Sequence, residues 1–388
     1  MNIAILTDGI IPFVVGGMQR HSSNLIRNLS KSGVNITLYH CVYDSYLPSE
    51  KEVNLSLFGL DEINYVKVVT IQFPVSLWFP GHYIYRSRKY SKYIYRHLFK
   101  DINNYNFIYA KGFTAWKLLK ARKKGIKTPI IGVNFHGYEM WQYAPSFKAR
   151  LKNYLLRPYV KWNSKNADYV FSYGSKITSI IKGIGIEKNK IVEIPSGIEK
   201  GWMRNTSIDG NKTIKFLFLG RYERRKGIEE LNIVLKKIVD QNLNIEFHFI
   251  GPIPDRKRIK NLSKKVFYHG RIIDIQKIKS IMDNCDVLIC PSYSEGMPNV
   301  ILEGMSRGLA IIATDVGAID QLVDHKNGKL IKFINGEILV QDLYNSILEI
   351  TSLSQSEIME KKENSLSKIK AFSFDNITKM HLTFFANT

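Results

Sequence analysis

Short apolar runs alternate with longer amphipathic stretches along this chain; the alternation stops once, near residue 200, and then restarts. Apolar runs without polar alternation suit strands buried on both faces, and such strands need helical crossovers between them. Residues 2–7 (NIAILT) open as a strand. A loop with Pro12, Gly16 and Gly17 follows, then an amphipathic helix over 18–31, a stop at Gly33 and a strand over 34–39. Strand–helix–strand is the building unit of a parallel sheet. Further strands are expected at 65–71, 107–110, 129–134, 169–172 and 191–194. The polar stretch 199–212, with Gly201, Asn205, Asp209 and Gly210, has the composition of a linker. Beyond it strands are expected at 215–219, 245–250, 266–268, 286–290 and 310–313, with a helix over 227–240 and helical segments between the others. The simplest architecture is two doubly wound α/β domains in tandem, with ligands beyond the carboxyl ends of the strands.

A length of 388 residues exceeds one ordinary core, and 45% hydrophobic residues suffice to bury two. No run reaches the ~20 apolar residues of a membrane-spanning helix. The opening MNIAILTDGIIPF lacks a basic start and carries Asp8, unlike a secretory signal. Cys41, Cys285 and Cys290 are too scattered for a disulfide framework or a zinc site, which suggests a reduced, cytoplasmic setting. Lys and Arg number 56 against 34 Asp and Glu, a net charge of +22. Residues 1–200 hold 29 basic and 12 acidic residues, so most of the excess lies in the first half. Such a surface attracts nucleic acid, anionic lipid or a phosphorylated substrate, and its sign alone does not choose among them.

The loops expected at strand ends carry the chemistry. After the strand 286–290 comes PSYSEGMPNVILE, residues 291–303. Pro298 suits the first turn of a helix, and Gly296 lets backbone pass close to a ligand. Amides at that helix start favour an anion or a hydroxyl, with Glu295 in the loop and Glu303 further along the helix. Two surface acids beside a helix start would read the same way. After the strand 215–219 comes GRYERRKG, in which Arg221 and Lys226 are placed to clamp a diphosphate, Arg as a planar fork and Lys as a compact charge. Arg224 and Arg225 read as a solvated basic run. Gly16-Gly17 precedes a helix, and His136 follows the strand 129–134, where a lone histidine serves structure more often than catalysis.

Together these loops resemble the retaining glycosyltransferases of family 4, which have the GT-B fold. The resemblance covers nearly the whole chain and is strongest from Lys215 to Gly328. The family's Glu-x7-Glu motif is matched by Glu295 and Glu303, and its Gly-Arg…Lys-Gly pattern by Gly220-Arg221 and Lys226-Gly227. The amino-terminal glycine loop matches Gly16-Gly17, the histidine beside the donor sugar matches His136, and the Pro-x-Gly-Ile run matches Pro195, Gly197 and Ile198. The chain departs from the pattern at Gly317-Ala318, where many members have Gly-Gly, at Gln321 in place of Glu, and at Gly251-Pro252-Ile253.

The resemblance implies two tandem Rossmann-like doubly wound domains facing a central cleft. Residues 1–200 would be the acceptor side and 201–365 the nucleotide-sugar side, with 366–388 returning to pack on the first domain. It implies transfer of a hexosyl or N-acetylhexosaminyl group, with retention, from a nucleotide sugar (UDP expected) to a hydroxyl of a glycan or lipid-linked acceptor. The nucleotide sugar is a co-substrate, and neither metal nor cofactor is expected. Arg221, Lys226 and Gly17 would hold the diphosphate. Gly16, Gly220, Gly296, Met297, Pro298, Asn299, Val300 and Glu303 would hold sugar and nucleotide, with Glu295 and His136 catalytic. A sugar-nucleotide 2-epimerase of the same fold is an alternative. A nucleic-acid-binding protein is a second, although no zinc-finger, RNA-recognition or helix-turn-helix pattern is present.

Residues 63–100 and 140–167 contain no acid and mix cations with aromatic rings. That combination suits the interface of an anionic bilayer. Arg86, Arg88 and Lys89 are therefore expected on a surface that meets the cytoplasmic leaflet and a lipid-linked acceptor, as in bacterial surface-polysaccharide assembly. Core aromatics beside a solvated cationic face would leave the same pattern.

Overall fold

A computed structural model describes residues 1–60, 65–205, 213–239, 241, 243–259, 265–334, 337–338 and 340–388. The expected linker 199–212 therefore lies outside the described residues from 206 onward. The chain forms two compact units, one of residues 1–140, 151–196 and 374–388, the other of 141–150 and 197–373.

The first unit is built on strands β1 (Asn2–Leu6), β2 (Asn35–Val42), β3 (Lys67–Gln72), β4 (Phe107–Lys111), β5 (Ile130–Asn134), β6 (Tyr169–Ser172) and β7 (Ile191–Glu193). All pair in parallel in the order β3-β2-β1-β4-β5-β6-β7. The helices are α1 (Gly17–Lys31), α2 (Glu50–Phe58), α3 (His82–Leu98), α4 (Trp116–Arg122), α5 (Phe147–Asn166) and α6 (Ser175–Gly183). Ile3, Ile5 and Leu38 are fully buried, as strands covered on both faces require, and Leu25, Ile26 and Leu29 give α1 its inward stripe. Phe374, Ile377 and Phe385, from the far end of the chain, belong to the same core.

The second unit holds β8 (Ile214–Leu219), β9 (Ile245–Ile250), β10 (Val266–Gly270), β11 (Val287–Cys290), β12 (Ala310–Thr314) and β13 (Gly328–Ile331), parallel in the order β10-β9-β8-β11-β12-β13. Its helices are α7 (Ile228–Val239), α8 (Ile275–Asp283), α9 (Asn299–Ser306), α10 (Val340–Thr351) and α11 (Gln355–Ile369), and α12 (Phe374–Ala386) completes the first unit. The strand β13 was not anticipated, since Gly-Lys-Leu-Ile is too short and mixed to stand out. Sheet order reverses between β1 and β4 in the first unit and between β8 and β11 in the second. At such switch points the adjoining loops diverge and leave a crevice beyond the strand ends. The two sheets of parallel strands with alternating helices are Rossmann-like domains.

Candidate active site

In the second unit the switch point is flanked by the loop after β8, residues 220–227, and the loop after β11, residues 291–298. The two loops are tied together. The backbone N–H of Tyr293 donates to the carbonyl of Arg225 at 2.8 Å. Arg225 Nη1 donates to the Ser294 carbonyl at 2.8 Å and lies 3.5 Å from Glu295 Oε1. Arg224 sits 4.9 Å over the Tyr293 ring and pairs with Glu230, which also accepts from the Tyr293 hydroxyl at 2.5 Å. Arg224 and Arg225 are thus the clamp between the loops, not the solvated run expected from the sequence. Consecutive cations carry no signal of which carboxylate or carbonyl a fold will bring to them.

Lys226 Nζ donates to Glu295 Oε1 at 2.6 Å. Glu295 is 6% exposed. Burial by itself would raise its pKa; the charges of Lys226 and Arg225, with hydrogen bonds from Lys226 and Ser292, outweigh burial and hold the carboxyl below its usual range. Burial would likewise lower Lys226, and the Glu295 charge overrides it, so the ammonium titrates above its ordinary value. Both groups are therefore ionised at neutral pH. One of three ammonium N–H directions serves Glu295, which leaves two for an anion. Arg221 stands apart, with its side chain 71% exposed and paired to Glu223 at 3.0 Å.

The backbone around Glu295 is fixed from three sides. Gln142 accepts from the Glu295 N–H at 3.1 Å and donates its amide to the Glu295 carbonyl at 2.5 Å. Nothing in the sequence singled out Gln142. Ala318 N–H donates to the Gly296 carbonyl at 2.8 Å. Gly317 has φ +62, and a Cβ there would lie 2.3 Å from the Glu295 carbonyl oxygen and 2.5 Å from that of Gly296. Only glycine fits that approach. Ala318, by contrast, is fully buried at a negative φ, so alanine fits there without strain. Pro298 precedes α9 as its cap instead of lying in the first turn; its carbonyl accepts from Ile301 at 3.1 Å. Asn299 and Val300 open the helix half-buried, Met297 is buried, and Glu303 is 4% exposed on the same helix. Gly220 donates to the Ile250 carbonyl at 2.9 Å, at the end of β8.

The first unit gathers a second polar cluster at its own switch point. Gly16 is the residue before α1 and Gly17 its first residue. His136 lies after β5 with φ 55, a strained value for a non-glycine residue, and its N–H donates to Asn134 Oδ1 at 2.7 Å. Its Nδ1 is 2.5 Å from the Tyr173 hydroxyl. Burial raises the Tyr173 phenol well above its ordinary pKa and lowers His136 well below, so both groups are neutral, and the tautomer of the ring decides which of them donates. Among the described residues the His136 Nε2 is buried with no hydrogen-bond partner. The ring of His21 meets His136 edge-on at 5.8 Å, and its Nδ1 lies 2.8 Å from Lys111 Nζ. Burial brings Lys111 down to about 7, against the raising effect of Asp8. Asp8, His21, Lys111 and Tyr173 were not read as site residues; a Lys closing the apolar run of β4 was the one available signal.

On the surface of this unit Arg88 is exposed and Lys89 half-buried. Arg86 differs from expectation. Its guanidinium lies 4.8 Å over the Phe73 ring and donates to the Pro74 carbonyl at 2.5 Å, so its charge is turned onto the protein.

Comparison with known proteins agrees with this fold. Residues 15–201 match the family model described as Glycosyltransferase Family 4, and residues 213–351 match Glycosyl transferases group 1. The chain belongs to the family-4-like glycosyltransferases of GT-B fold. It is 26% identical over 370 residues to an uncharacterized glycosyltransferase of Methanocaldococcus jannaschii, covering 93% of this chain and 92% of that one. It is 25% identical over 232 residues to the N,N'-diacetylbacillosaminyl-diphospho-undecaprenol alpha-1,3-N-acetylgalactosaminyltransferase of Campylobacter jejuni, covering 56% of this chain and 60% of the relative. Among solved structures, HepE from Anabaena, in complex with UDP and glucose, superposes with TM-score 0.68 at 16% identity, covering 100% of this chain and 99% of that one.

Proposed function

We propose that this glycosyltransferase moves a sugar, with retention of anomeric configuration, from a UDP-sugar to a hydroxyl of a glycan or lipid-linked acceptor. The observation that carries the reading is the Lys226–Glu295 pair at 2.6 Å in two loops clamped across a sheet switch point. An ammonium with two further N–H directions, joined by the exposed Arg221, offsets the charge of a departing diphosphate without a metal. Glu295, held ionised, accepts from sugar hydroxyls and stabilises positive charge on the anomeric carbon as the bond to phosphate lengthens. Glu303 accepts from the nucleotide ribose. His136 donates its Nε2–H to the sugar, and the glycine pair Gly16-Gly17 lets backbone approach the phosphates. The incoming hydroxyl attacks from the face the diphosphate leaves, and the departing phosphate oxygen takes its proton.

The HepE complex, with UDP and glucose, supports UDP as nucleotide, and the Campylobacter relative, named for a diphospho-undecaprenol acceptor, supports a lipid-linked one. The reading places the protein peripherally on the cytoplasmic leaflet; no helix among the described residues is long and apolar enough to cross a membrane. Its support is the face made by α3, α4 and α5. Trp78 is 75% exposed and Tyr85 is exposed on α3, and Tyr154 and Tyr159 are exposed on α5. Lys117 and Lys120 of α4 lie over Tyr95 and Trp162. A panel of UDP-, GDP- and ADP-sugars assayed for nucleotide release, with NMR of the product anomer, tests the reading. Release from a UDP-sugar that yields the donor's own anomer, unaffected by EDTA, is expected; an inverted product or no release from any donor overturns it.

A further inference from the structure

The strand β3 is the outer edge of the first unit's sheet, and beside it runs a groove of about 580 Å³ that the proposed chemistry does not use. Its floor is largely apolar: Ile71, Phe73 and Pro74 are buried there, beside the polar Thr70 and Gln72. Its wall is one stripe of α3, where Lys89, Tyr93, Arg96 and His97 recur at helical spacing and so share a face. Lys89 and Arg96 each lie 5.9 Å from the centre of the Tyr93 ring, so the two cations bracket one aromatic surface. No carboxylate lines the groove among the described residues. Acids on the adjoining elements are engaged elsewhere: Glu50 accepts from the Val68 N–H at 2.6 Å, Glu52 caps α2 through Ser49, and Asp101 pairs with Lys67; the exposed Asp44, whose carbonyl accepts from Gln72, does not line the groove. The segment leading out of the groove then exposes Val75 (73%) and Leu77 (88%) together with Trp78.

Cations without acid partners, an aromatic wall, an apolar floor and an apolar exit define a ligand with a compact anion at one end and hydrocarbon at the other. We propose that this groove binds the phosphoryl head of a membrane lipid, seating it between Lys89 and Arg96 while Val75, Leu77 and Trp78 enter the acyl boundary. The assignment deepens the reading of a lipid-facing transferase and rests on it. It also differs from a diffuse basic surface in a measurable way, because Arg88 and Lys92 lie on the same helix, are exposed, and do not line the groove.

The test is co-sedimentation of the full chain with vesicles of phosphatidylcholine alone, or doped with phosphatidylglycerol or with a polyprenyl phosphate. Two double variants with equal change of charge are compared, Lys89→Gln with Arg96→Gln and Arg88→Gln with Lys92→Gln. Binding should require a phosphoryl lipid beyond phosphatidylcholine. The groove variant should bind roughly tenfold or more weakly, the loss expected for two cations at about 1 kcal/mol each, while the outer variant changes less than threefold. Competition by free inorganic diphosphate against the wild type supports the groove. Equal loss in both variants, or equal binding to pure phosphatidylcholine, overturns it. A stronger response to polyprenyl phosphate identifies the acceptor lipid as the source; an equal response identifies the bulk bilayer. Nucleotide release from a donor sugar in detergent, without vesicles, separates the two proposals. If release occurs and vesicle binding does not, the groove fails and the transferase reading stands; if the reverse, the transferase reading fails and the groove stands.

Discussion

Lys226 and Glu295 are each other's closest ionic partners, and this sets how substitution at either will read out. Glu295→Gln keeps the shape and the Gln142 contacts to the backbone but removes the charge that we propose faces the anomeric carbon. Turnover should fall by roughly 10²-fold or more, the scale of a lost electrostatic stabiliser, while nucleotide affinity by calorimetry changes little. Near-wild-type turnover would remove Glu295 from the reaction. The buried cluster of the first unit gives a second prediction, in stability. Lys111 titrates at about 7 when folded because burial outweighs Asp8, against an ordinary 10.5. Between those values the unfolded chain binds the extra proton, so stability should rise with pH from about 7 to about 10. His40 and His381 are both lowered by burial to about 4, so stability should also fall as pH drops from 6.5 toward 4. Chemical denaturation from pH 4 to 10 measures both slopes; Lys111→Met should flatten the upper one and soften the lower one less, because the Lys111 charge is also a lesser cause of the lowered His381.

At the scale of elements, the turn after β12 decides whether the loop bearing Glu295 holds its position. Gly317→Ala would drive a Cβ to 2.3 Å from the Glu295 carbonyl and force a non-glycine residue to φ +62. A loss of about 1–3 kcal/mol is expected, with turnover reduced more than folding explains, because the displaced backbone carries Glu295. Ala318→Gly removes only a buried methyl, so it should lower Tm modestly without the added loss of turnover, measured by Tm and nucleotide release. This is also the scale at which sequence and structure agree most. The strands 169–172 and 245–250 are placed to the residue, since a run such as IEFHFI between polar flanks has one way to be buried in a parallel sheet. The motif positions of Glu295, Glu303 and Lys226 were visible in the sequence because their spacing is local. Gln142 and Lys111 were not, because their roles exist only through partners distant in sequence: Glu295 is 153 positions from Gln142, and His21 is 90 from Lys111.

The whole molecule raises a question of which residues make one folding unit. The first unit draws residues from both ends of the chain, and helix α12 supplies part of its core. Phe385 lies 4.9 Å from the ring of Phe107 in β4, Phe384 lies 4.9 Å from Tyr169 in β6, and His381 stacks on Phe171 at 5.9 Å. These contacts reach two central strands, so they are not trim on a core that is complete without them. Removing them exposes at least three large aromatic or aliphatic side chains, each of which contributes roughly 1.5–3 kcal/mol on burial. That sum approaches the whole stability of a typical domain, about 5–15 kcal/mol. A fragment of residues 1–200 should therefore be insoluble or molten, although it contains every strand of its sheet. The same fragment joined through a flexible linker to residues 374–388 should regain a cooperative thermal transition by circular dichroism. If the bare fragment already unfolds cooperatively at the same temperature as the linked one, α12 is peripheral and the core closes without it.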